Sequence, residues 1–256
     1  MSKTEIQKIM NDARSDTKAD MNALVDHLFT NFVNCKGDRV SGDNAAIIAG
    51  FATIADRAVA VISTNKGQEL KERLQTNFGS PTPAGYRKAL RVMETASELH
   101  LPIITLINTP GAYPGADAEA AGQGQVIAHS IQKMLTLPVP ILTIIVGEAG
   151  SGGALALACS DQIWMFAHSM YTVLSPEGFA SIMWKDAQLA PKAAEVMHIE
   201  PEWLQEHQVV DQILPEEWLD FTDQQLQEKI LQQLAQFDQL SVTELLQQRQ
   251  ARFRQF

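Results

Sequence analysis

The chain has 256 residues, of which 45% are hydrophobic and 20% charged, which fits one large globular domain or a domain with a helical appendage. Its formal net charge of −10 excludes the basic surface that nucleic-acid phosphates require, so no nucleic-acid partner is expected. The first residues lack the apolar core of a signal peptide and the apolar runs are too short to cross a bilayer, so we expect no membrane partner and a cytoplasmic location.

The hydrophobic pattern predicts an α/β fold. A helical lead-in is expected over 4–32, where apolar side chains recur at helical spacing. We next expect two strands, over 45–55 and 58–62, then a helix over 85–100 and a strand over 103–107. The pattern next predicts a glycine loop at 108–115, a helix over about 117–137 and a strand over 139–146. A second glycine loop follows at 147–153 and opens a short helix to 160. Strands over 162–166 and 171–174 follow, and from 178 the pattern predicts helices only, with amphipathic segments over 223–237 and 242–253.

The strands at 103–107 and 139–146 are almost continuously apolar, which is typical of strands buried on both faces of a parallel sheet. Each is followed by a glycine loop and a helix, and the crossovers are long enough for right-handed parallel connections. Because the carboxyl ends of parallel strands lie at one edge of the sheet, the two glycine loops are expected to meet there. Their N–H groups can then converge on one oxygen atom.

The loop at 147–153 contains four glycines in seven residues. Without Cβ atoms, its backbone can adopt positive φ and a ligand can approach the peptide N–H groups. At a helix start these groups lack intrahelical acceptors and lie at the positive end of the helix dipole. Such a site suits an oxygen that carries or develops negative charge, which indicates an oxyanion or carboxylate pocket.

Spacing separates the other interpretations of this loop. A phosphate-binding loop needs Lys followed by Ser or Thr after its last glycine, but Ala154 and Leu155 follow Gly153. The glycines also fail the spacing of a dinucleotide-binding fingerprint. A serine nucleophile elbow centred on Ser151 remains open, although Ala149 occupies its first glycine position and its base would have to be one of six histidines. A glycine turn required only for close helix–strand packing also remains open.

Three motifs together resemble a known family. They read Gly-Ala-Tyr-Pro-Gly at 111–115, Gly-Glu-Ala-Gly-Ser-Gly-Gly-Ala-Leu-Ala at 147–156 and Ser-Pro-Glu-Gly at 175–178, and further matching segments run in the same order from about Gly37 to about Met197. On these residues the chain resembles the carboxyltransferase α subunits of bacterial acetyl-CoA carboxylase, in the crotonase superfamily. The resemblance implies a crotonase-like superhelix of β-β-α units around a mostly parallel sheet. It divides the chain into a helical N-terminal extension at 1–36, a carboxyltransferase core at 37–200 and a helical C-terminal segment at 201–256.

The resemblance also implies a reaction and its partners. The carboxyl group of carboxybiotin, delivered by the biotin carboxyl carrier protein, would pass to acetyl-CoA and give malonyl-CoA, the first committed step of fatty acid biosynthesis. A β subunit with a zinc ribbon would hold acetyl-CoA in an α₂β₂ assembly, and the chain would be active only with it. No cofactor is expected to be bound permanently. Since only Cys35 and Cys159 occur, far apart, no metal site is expected in this chain.

The resemblance assigns roles to residues in both glycine loops. The glycine pair that serves the ureido oxygen of biotin corresponds to Gly152 and Gly153, which are the expected backbone N–H donors. Gly111 and Ala112 match the loop that supplies the opposing N–H, and Tyr113 is expected to form a wall for the biotin ring. For these three residues, a turn punctuated by proline and glycine is an equally open alternative.

Other residues are expected to bind substrate or to support the loop. Gly150 and Ser151 are expected to bind substrate, although capping of the helix is the favoured role for Ser151. Glu148 is expected to orient the loop or to bond backbone N–H groups, the second role being favoured. Glu177 is expected at the subunit interface, or else to be an exposed carboxylate in a turn.

Rival functions and departures from the family pattern stay open. A crotonase-type hydratase places a Glu in the first helical turn after the loop, where this chain has none. A serine hydrolase centred on Ser151 and a divergent non-catalytic paralogue are further alternatives. Asn108 stands where the family has Asp, the stretch around Ala121 lacks the family Arg, and 213–219 replaces a glycine-rich segment. Whether these changes impair activity or partner binding is left open.

Overall fold

The computed structural model describes residues 3–255 and shows one sheet with helices on both faces. The strands are β1 (Thr30–Asn34), β2 (Ile47–Ile54), β3 (Arg57–Thr64), β4 (Ile103–Thr109), β5 (Ile141–Gly150), β6 (Gln162–Phe166), β7 (Met170–Thr172) and β8 (Gln212–Leu214). The helices are α1 (Lys3–Arg14), α2 (Met21–Leu28), α3 (Leu70–Gln75), α4 (Pro83–Glu98), α5 (Ala116–Ala120), α6 (Gln123–Met134), α7 (Ser151–Leu155), α8 (Pro176–Trp184), α9 (Ala190–Met197), α10 (Pro201–Glu206), α11 (Gln225–Phe237) and α12 (Val242–Phe253). None of these helices is long and apolar enough to cross a membrane.

The sheet is mostly parallel. Its strands lie in the order β1-β2-β3-β4-β5-β6-β8, and β7 pairs with β5 beside this path. The pairs β1–β2 and β2–β3 are antiparallel, whereas every pair from β3 onwards is parallel. Helices α3 and α4 connect β3 to β4, and α5 and α6 connect β4 to β5, so each crossover returns the chain to the same edge. The predicted α/β class is confirmed.

The central strands are buried on both faces because helices pack on each side. Ala60, Ile62 and Ile103 belong to one core cluster, which also includes side chains of α4. Val61 and Ile104 belong to a second cluster, which includes side chains of α2 and α11. Successive residues thus alternate between the two clusters, as the pleat of a strand requires. Burial on both faces explains why these strands are continuously apolar in the sequence.

Two strands lie where only helices were predicted, so the segments at 1–36 and 201–256 are not purely helical. β1 occupies the end of the predicted helical lead-in and continues beyond it, and β8 lies in the part after 178. Each is held by pairing with a strand distant in sequence, β2 and β6 respectively. No local pattern reveals such pairing, because strand preference depends strongly on tertiary context. The division of the chain into three parts stays a prediction.

The helix predicted over about 117–137 is also wrong in part. It forms two helices, α5 and α6, because Gly122 between them adopts φ 88° and interrupts the regular helix. Helix α3 was not predicted at all. It carries no buried side chain, so it lacks the apolar stripe on which a prediction from periodicity depends.

Helix α4 holds the loop at 37–44 through two ion pairs. The Arg87 Nε donates to Asp38 Oδ2 at 2.8 Å, and the Lys88 Nζ donates to Asp43 Oδ1 at 2.5 Å. The Asp38 carboxylate also accepts the backbone N–H groups of residues 40, 41 and 42. Burial alone would raise the pKa of Asp38, but the loop N–H groups and Arg87 outweigh it and hold this pKa well below its usual range.

An Asp38→Asn variant is expected to lose less stability at acid pH than the parent chain. Because the pKa of Asp38 is lower in the folded state than its value of about 3.9 in the unfolded state, its contribution is complete above that value and is lost as the pH falls through the folded pKa. At pH 7 the variant should be less stable by about 2 kcal/mol. The measurement is the free energy of unfolding in urea from pH 7 to pH 3.

The matched control is Asp26→Asn, an exposed aspartate on α2. This control should follow the acid profile of the parent chain. Parallel pH profiles for Asp38→Asn and the parent chain would contradict the role given to the Asp38 carboxylate.

Candidate functional site

The two glycine segments meet at the carboxyl edge of β4 and β5, as predicted. Their backbones are so close that a Cβ atom at Gly150 would lie 2.0 Å from the carbonyl oxygen of Pro110. One at Gly153 would lie 2.3 Å from the nitrogen of Ala112. Neither position can hold a larger residue unless the two segments move apart. Close packing therefore accounts for glycine at both positions.

The segment at 147–150 is not a turn, which corrects the loop predicted over 147–153. It continues β5, and the residues at 148–150 pair with β7. Helix α7 then begins directly at Ser151, whose φ is 56°. Its N-cap is Gly150 and no side chain among the described residues caps it, so the capping role expected of Ser151 is wrong. The change of direction is thus confined to one non-glycine residue in the left-handed region, an uncommon conformation that clusters at functional sites.

Gly152 lies at a cavity of about 500 Å³. A Cβ atom at this position would contact only the Cγ2 atom of Ile127, at 3.5 Å. As the second residue of α7, Gly152 also has no N–H acceptor one turn earlier within the helix. Ser151 and Leu155 line the same cavity, together with residues of β6, β7, α9, α10 and α12. Gly152 is therefore the member of the predicted glycine pair that is accessible to a ligand.

Gly153 is buried and does not line that cavity. Its carbonyl oxygen accepts a hydrogen bond from the Tyr86 hydroxyl at 3.1 Å. Burial raises the pKa of Tyr86, so this hydroxyl stays protonated and available as a donor. Tyr86 lies within the range from about Gly37 to about Met197 that contains the matching segments, and its contact supports α7. The assignment of Gly153 as the second N–H donor stays a prediction.

In the first glycine segment, the Ala112 N–H group is the one without an internal acceptor in the described part of the chain. The Gly111 N–H donates to the Thr109 hydroxyl at 3.1 Å, and the Tyr113 N–H donates to the Pro81 carbonyl at 3.0 Å. By contrast, the Ala112 N–H has no hydrogen-bond acceptor among residues 3–255. Ala112 therefore matches the expected opposing donor better than Gly111. The role of Tyr113 as a wall for a ring stays a prediction.

The two glutamates predicted to support the site are joined by one arginine. The Glu148 carboxylate is buried and accepts from Lys66 Nζ at 2.6 Å and from Arg14 Nε at 3.3 Å. The guanidinium of Arg14 also donates to Glu177 Oε1 at 2.7 Å. This hydrogen bond holds the pKa of Glu177 below its usual range. Glu148 thus fixes the end of β5 to α1 and to the segment that follows β3. Among residues 3–255 its carboxylate accepts from these two cations and from no backbone N–H group, so the favoured role of bonding backbone N–H groups is wrong.

Neither cationic partner of Glu148 was predicted from the sequence. Lys66 follows the carboxyl end of β3, next to the edge where the glycine segments meet, so its position after a strand was a usable signal. Arg14 ends the amphipathic helix α1, and no local motif distinguishes it from other arginines.

The departures from the family pattern have structural roles of their own. The Oδ1 atom of Asn108 accepts the Glu148 N–H at 3.2 Å, so it links β4 to β5. The carbonyl of Ala121 accepts from the Arg87 guanidinium at 3.3 Å. The segment at 213–219 contributes to β8 and to a short 3₁₀ turn.

The rival enzymatic functions find little support in this geometry. His198 lines the cavity together with Ser151, but its ring stacks on Trp203 with centroids 4.5 Å apart. Within residues 3–255, no histidine is hydrogen-bonded to the Ser151 hydroxyl, as a hydrolase dyad requires. None of the described residues that line the cavity is a carboxylate, whereas a hydratase needs one to handle water.

Comparison with known proteins extends the resemblance over nearly the whole chain. A family model described as "Acetyl co-enzyme A carboxylase carboxyltransferase-like" matches residues 2–256. The "Acetyl-coenzyme A carboxylase carboxyl transferase subunit alpha" of Streptococcus sanguinis (strain SK36) is 45% identical over 99% of this chain and 100% of its own length. The protein of the same description from Streptococcus pneumoniae (strain Hungary19A-6) is 44% identical over 98% of this chain and 99% of its own.

Solved structures support the fold. Transcarboxylase 12S superimposes on 92% of this chain with a TM-score of 0.73 and 17% sequence identity. The β subunit of geranyl-CoA carboxylase from P. aeruginosa superimposes on 88% of this chain with a TM-score of 0.66 and 17% identity. The chain spans only 44% and 42% of those proteins, respectively. At this level of identity they support the crotonase-like architecture alone.

Proposed function

The chain belongs to the acetyl-CoA carboxylase carboxyltransferase family, and from this premise we propose that its two glycine segments form the pocket that accepts the carboxyl donor. As the α subunit of a multi-subunit carboxylase, it is part of the enzyme that converts acetyl-CoA to malonyl-CoA for fatty acid biosynthesis.

Carboxyl transfer develops negative charge on two oxygen atoms. The thioester oxygen gains charge as the acetyl methyl group loses its proton, and the ureido oxygen of biotin gains charge as its carboxyl group leaves. Backbone N–H donors about 2.7–3.1 Å from such an oxygen, oriented in advance, can each be worth several kcal/mol in the transition state. We assign the ureido oxygen to the donors Gly152 and Gly153 at the start of α7, with Ala112 as the opposing donor.

The backbone contact between Ala112 and Gly153 is the observation that supports this assignment most. It brings an N–H group without an internal acceptor among residues 3–255 next to the start of α7. Gly152 lies at the cavity, which gives a ligand oxygen access from that side. No protein base is required if the nitrogen of the released biotin takes the methyl proton, which agrees with a cavity whose described lining contains no carboxylate.

The partners follow from the same premise. Acetyl-CoA would be held by a β subunit that carries a zinc ribbon, in an α₂β₂ assembly located in the cytoplasm. Carboxybiotin would be a visiting substrate, delivered on the biotin carboxyl carrier protein, and no group would be bound permanently. The apolar cavity beside Gly152 is large enough for a fused-ring substrate of this size.

A serine hydrolase is the second candidate, because Ser151 has the positive φ of a nucleophile elbow and shares its cavity with His198. A fluorophosphonate probe distinguishes the two functions. Labelling that is lost in a Ser151→Ala variant would favour a hydrolase. Carboxyl transfer that persists in that variant would favour the carboxyltransferase assignment.

The decisive experiment is to purify the chain alone and in complex with its β subunit, and to measure malonyl-CoA formation from carboxylated biotin carrier protein. We expect transfer only by the complex. An assembled complex that forms no malonyl-CoA with an active carboxyl donor would contradict the proposal and favour a non-catalytic paralogue.

A further inference from the structure

Helix α12 supplies part of the cavity at Gly152. Arg252 and Phe253 at the end of α12 line this cavity together with residues of the glycine site and of β7. The Phe253 ring is partly buried and packs against the core cluster that also includes the apolar side chains of β4 and β5. A helix distant in sequence from the glycine motifs is thus built into the same site.

The end of α12 is held firmly in this position. Arg249 is fully buried and pairs with Asp161, with Nη2 of Arg249 at 2.6 Å from Oδ2 of Asp161. One turn later, Arg252 Nη1 donates to Asp211 Oδ1 at 2.7 Å. Its Nη2 donates to the carbonyl of Val209 at 2.8 Å. Two ion pairs therefore fix the rotation of α12, so the wall formed by Arg252 and Phe253 exists before any ligand arrives.

The cavity wall also carries a polar donor. Tyr171 lines the cavity, and burial raises its pKa, so its phenol remains protonated and can donate. The Arg252 guanidinium is used internally and its Nε atom is buried, so Arg252 serves the wall by holding it in place. An apolar space with a polar donor suits a ring system that carries a hydrogen-bond acceptor.

We propose that Phe253 and Arg252 form the specificity wall for the ring of the carboxyl donor, so that α12 determines how tightly the α subunit binds biotin. This inference rests on the proposed function. Phe253 contributes an apolar surface for the fused ring, and Arg252 holds that surface in place through Asp211 and the Val209 carbonyl. Neither residue takes part in bond making, so their removal should weaken donor binding and leave the chemistry at Gly152 unchanged.

The test uses the assembled α and β subunits in the reverse direction, with malonyl-CoA and the free biotin derivative biocytin as substrates. Phe253→Ala is expected to raise the KM for biocytin by about tenfold and to leave the KM for malonyl-CoA unchanged. Arg252→Lys keeps a cation beside Asp211 but lacks the second nitrogen that donates to the Val209 carbonyl, and should raise only the KM for biocytin, by a smaller factor. Arg254→Ala, an exposed residue at the end of the same helix, is the matched control and should match the parent complex.

An unchanged KM for biocytin in both variants would overturn the inference, and so would equal increases in the two KM values, because a merely structural role affects both substrates. Direct titration of biocytin into each complex gives a second readout that does not depend on turnover. The titration also separates this inference from the proposed function. Suppose that the parent complex binds biocytin, that Phe253→Ala binds it more weakly, and that neither complex transfers a carboxyl group. The proposed function then fails while the assignment of α12 stands. If the parent complex transfers the carboxyl group and Phe253→Ala binds biocytin as tightly as the parent, only the assignment of α12 fails.

Discussion

A Gly153→Ala variant is expected to lose carboxyl transfer by about a hundredfold or more, because the added methyl group separates the two glycine segments. Its Cβ atom would lie 2.3 Å from the Ala112 nitrogen and 2.9 Å from the Gly111 carbonyl carbon, where ordinary contact begins at 3.4 Å. Neither neighbour is a flexible side chain that can turn aside. The segments must therefore separate by roughly an ångström, which is enough to misplace an N–H donor that has to match a developing charge.

Gly152→Ala is the matched control, since it adds the same methyl group one residue earlier. Its Cβ atom would meet only the Cγ2 atom of Ile127, at an ordinary 3.5 Å. We expect kcat within a few-fold of the parent complex, as its backbone N–H is retained. The measurement is kcat for malonyl-CoA formation by each complex, with assembly checked by gel filtration. Equal losses in the two variants would show that the close contact at Gly153 is not what orders the site.

Arg249→Ala is expected to destabilise the chain by about 3–5 kcal/mol, because it leaves a buried carboxylate without its partner. The Arg249 guanidinium contacts Asp161 and donates to the carbonyls of Met134, Leu137 and Val139 at 2.7 to 2.8 Å. These carbonyls lie where α6 ends and β5 approaches, so one side chain satisfies acceptors from two parts of the chain. Removing it leaves several buried polar groups unsatisfied at once.

The measurement is the free energy of unfolding in urea, compared with Arg254→Ala on the exposed end of the same helix. The control should change stability by less than about 0.5 kcal/mol. A further Asp161→Asn substitution in the Arg249→Ala chain should recover part of the loss, because it removes the unpaired charge while keeping an acceptor for the Ile141 N–H. A loss below about 1 kcal/mol in Arg249→Ala would mean that water replaces the guanidinium in that site.

The sequence was sufficient to predict the meeting of the two glycine segments, and the reason is physical. Apolar runs at 103–107 and 139–146 identified buried parallel strands, and parallel strands bring their carboxyl ends to one edge. The motifs then implied the family and its fold. The backbone conformation and the supporting side chains within the site were harder to predict from the sequence, because they depend on the neighbouring strands.

Two particular errors illustrate this limit. Four glycines at 147–153 suggested a turn, but pairing of 148–150 with β7 keeps the chain extended until Ser151. Arg14 and Lys66, which converge on Glu148, come from segments 134 and 82 residues away in sequence. No spacing rule links them, since their proximity results from the completed sheet. The pattern of a sequence predicts where a site forms more readily than which distant side chains support it.

Strand β5 changes neighbour along its length, pairing with β6 over 142–145 and with β7 over 148–150, while β4 borders its other side. Any sliding of this strand would break hydrogen bonds on both of its sides at once. The sheet therefore holds in place the peptide groups that follow β5 at the start of α7. A change of substrate specificity in such a scaffold is therefore not expected to come from a change in its peptide backbone. It has to proceed through replaceable side chains on the surrounding helices.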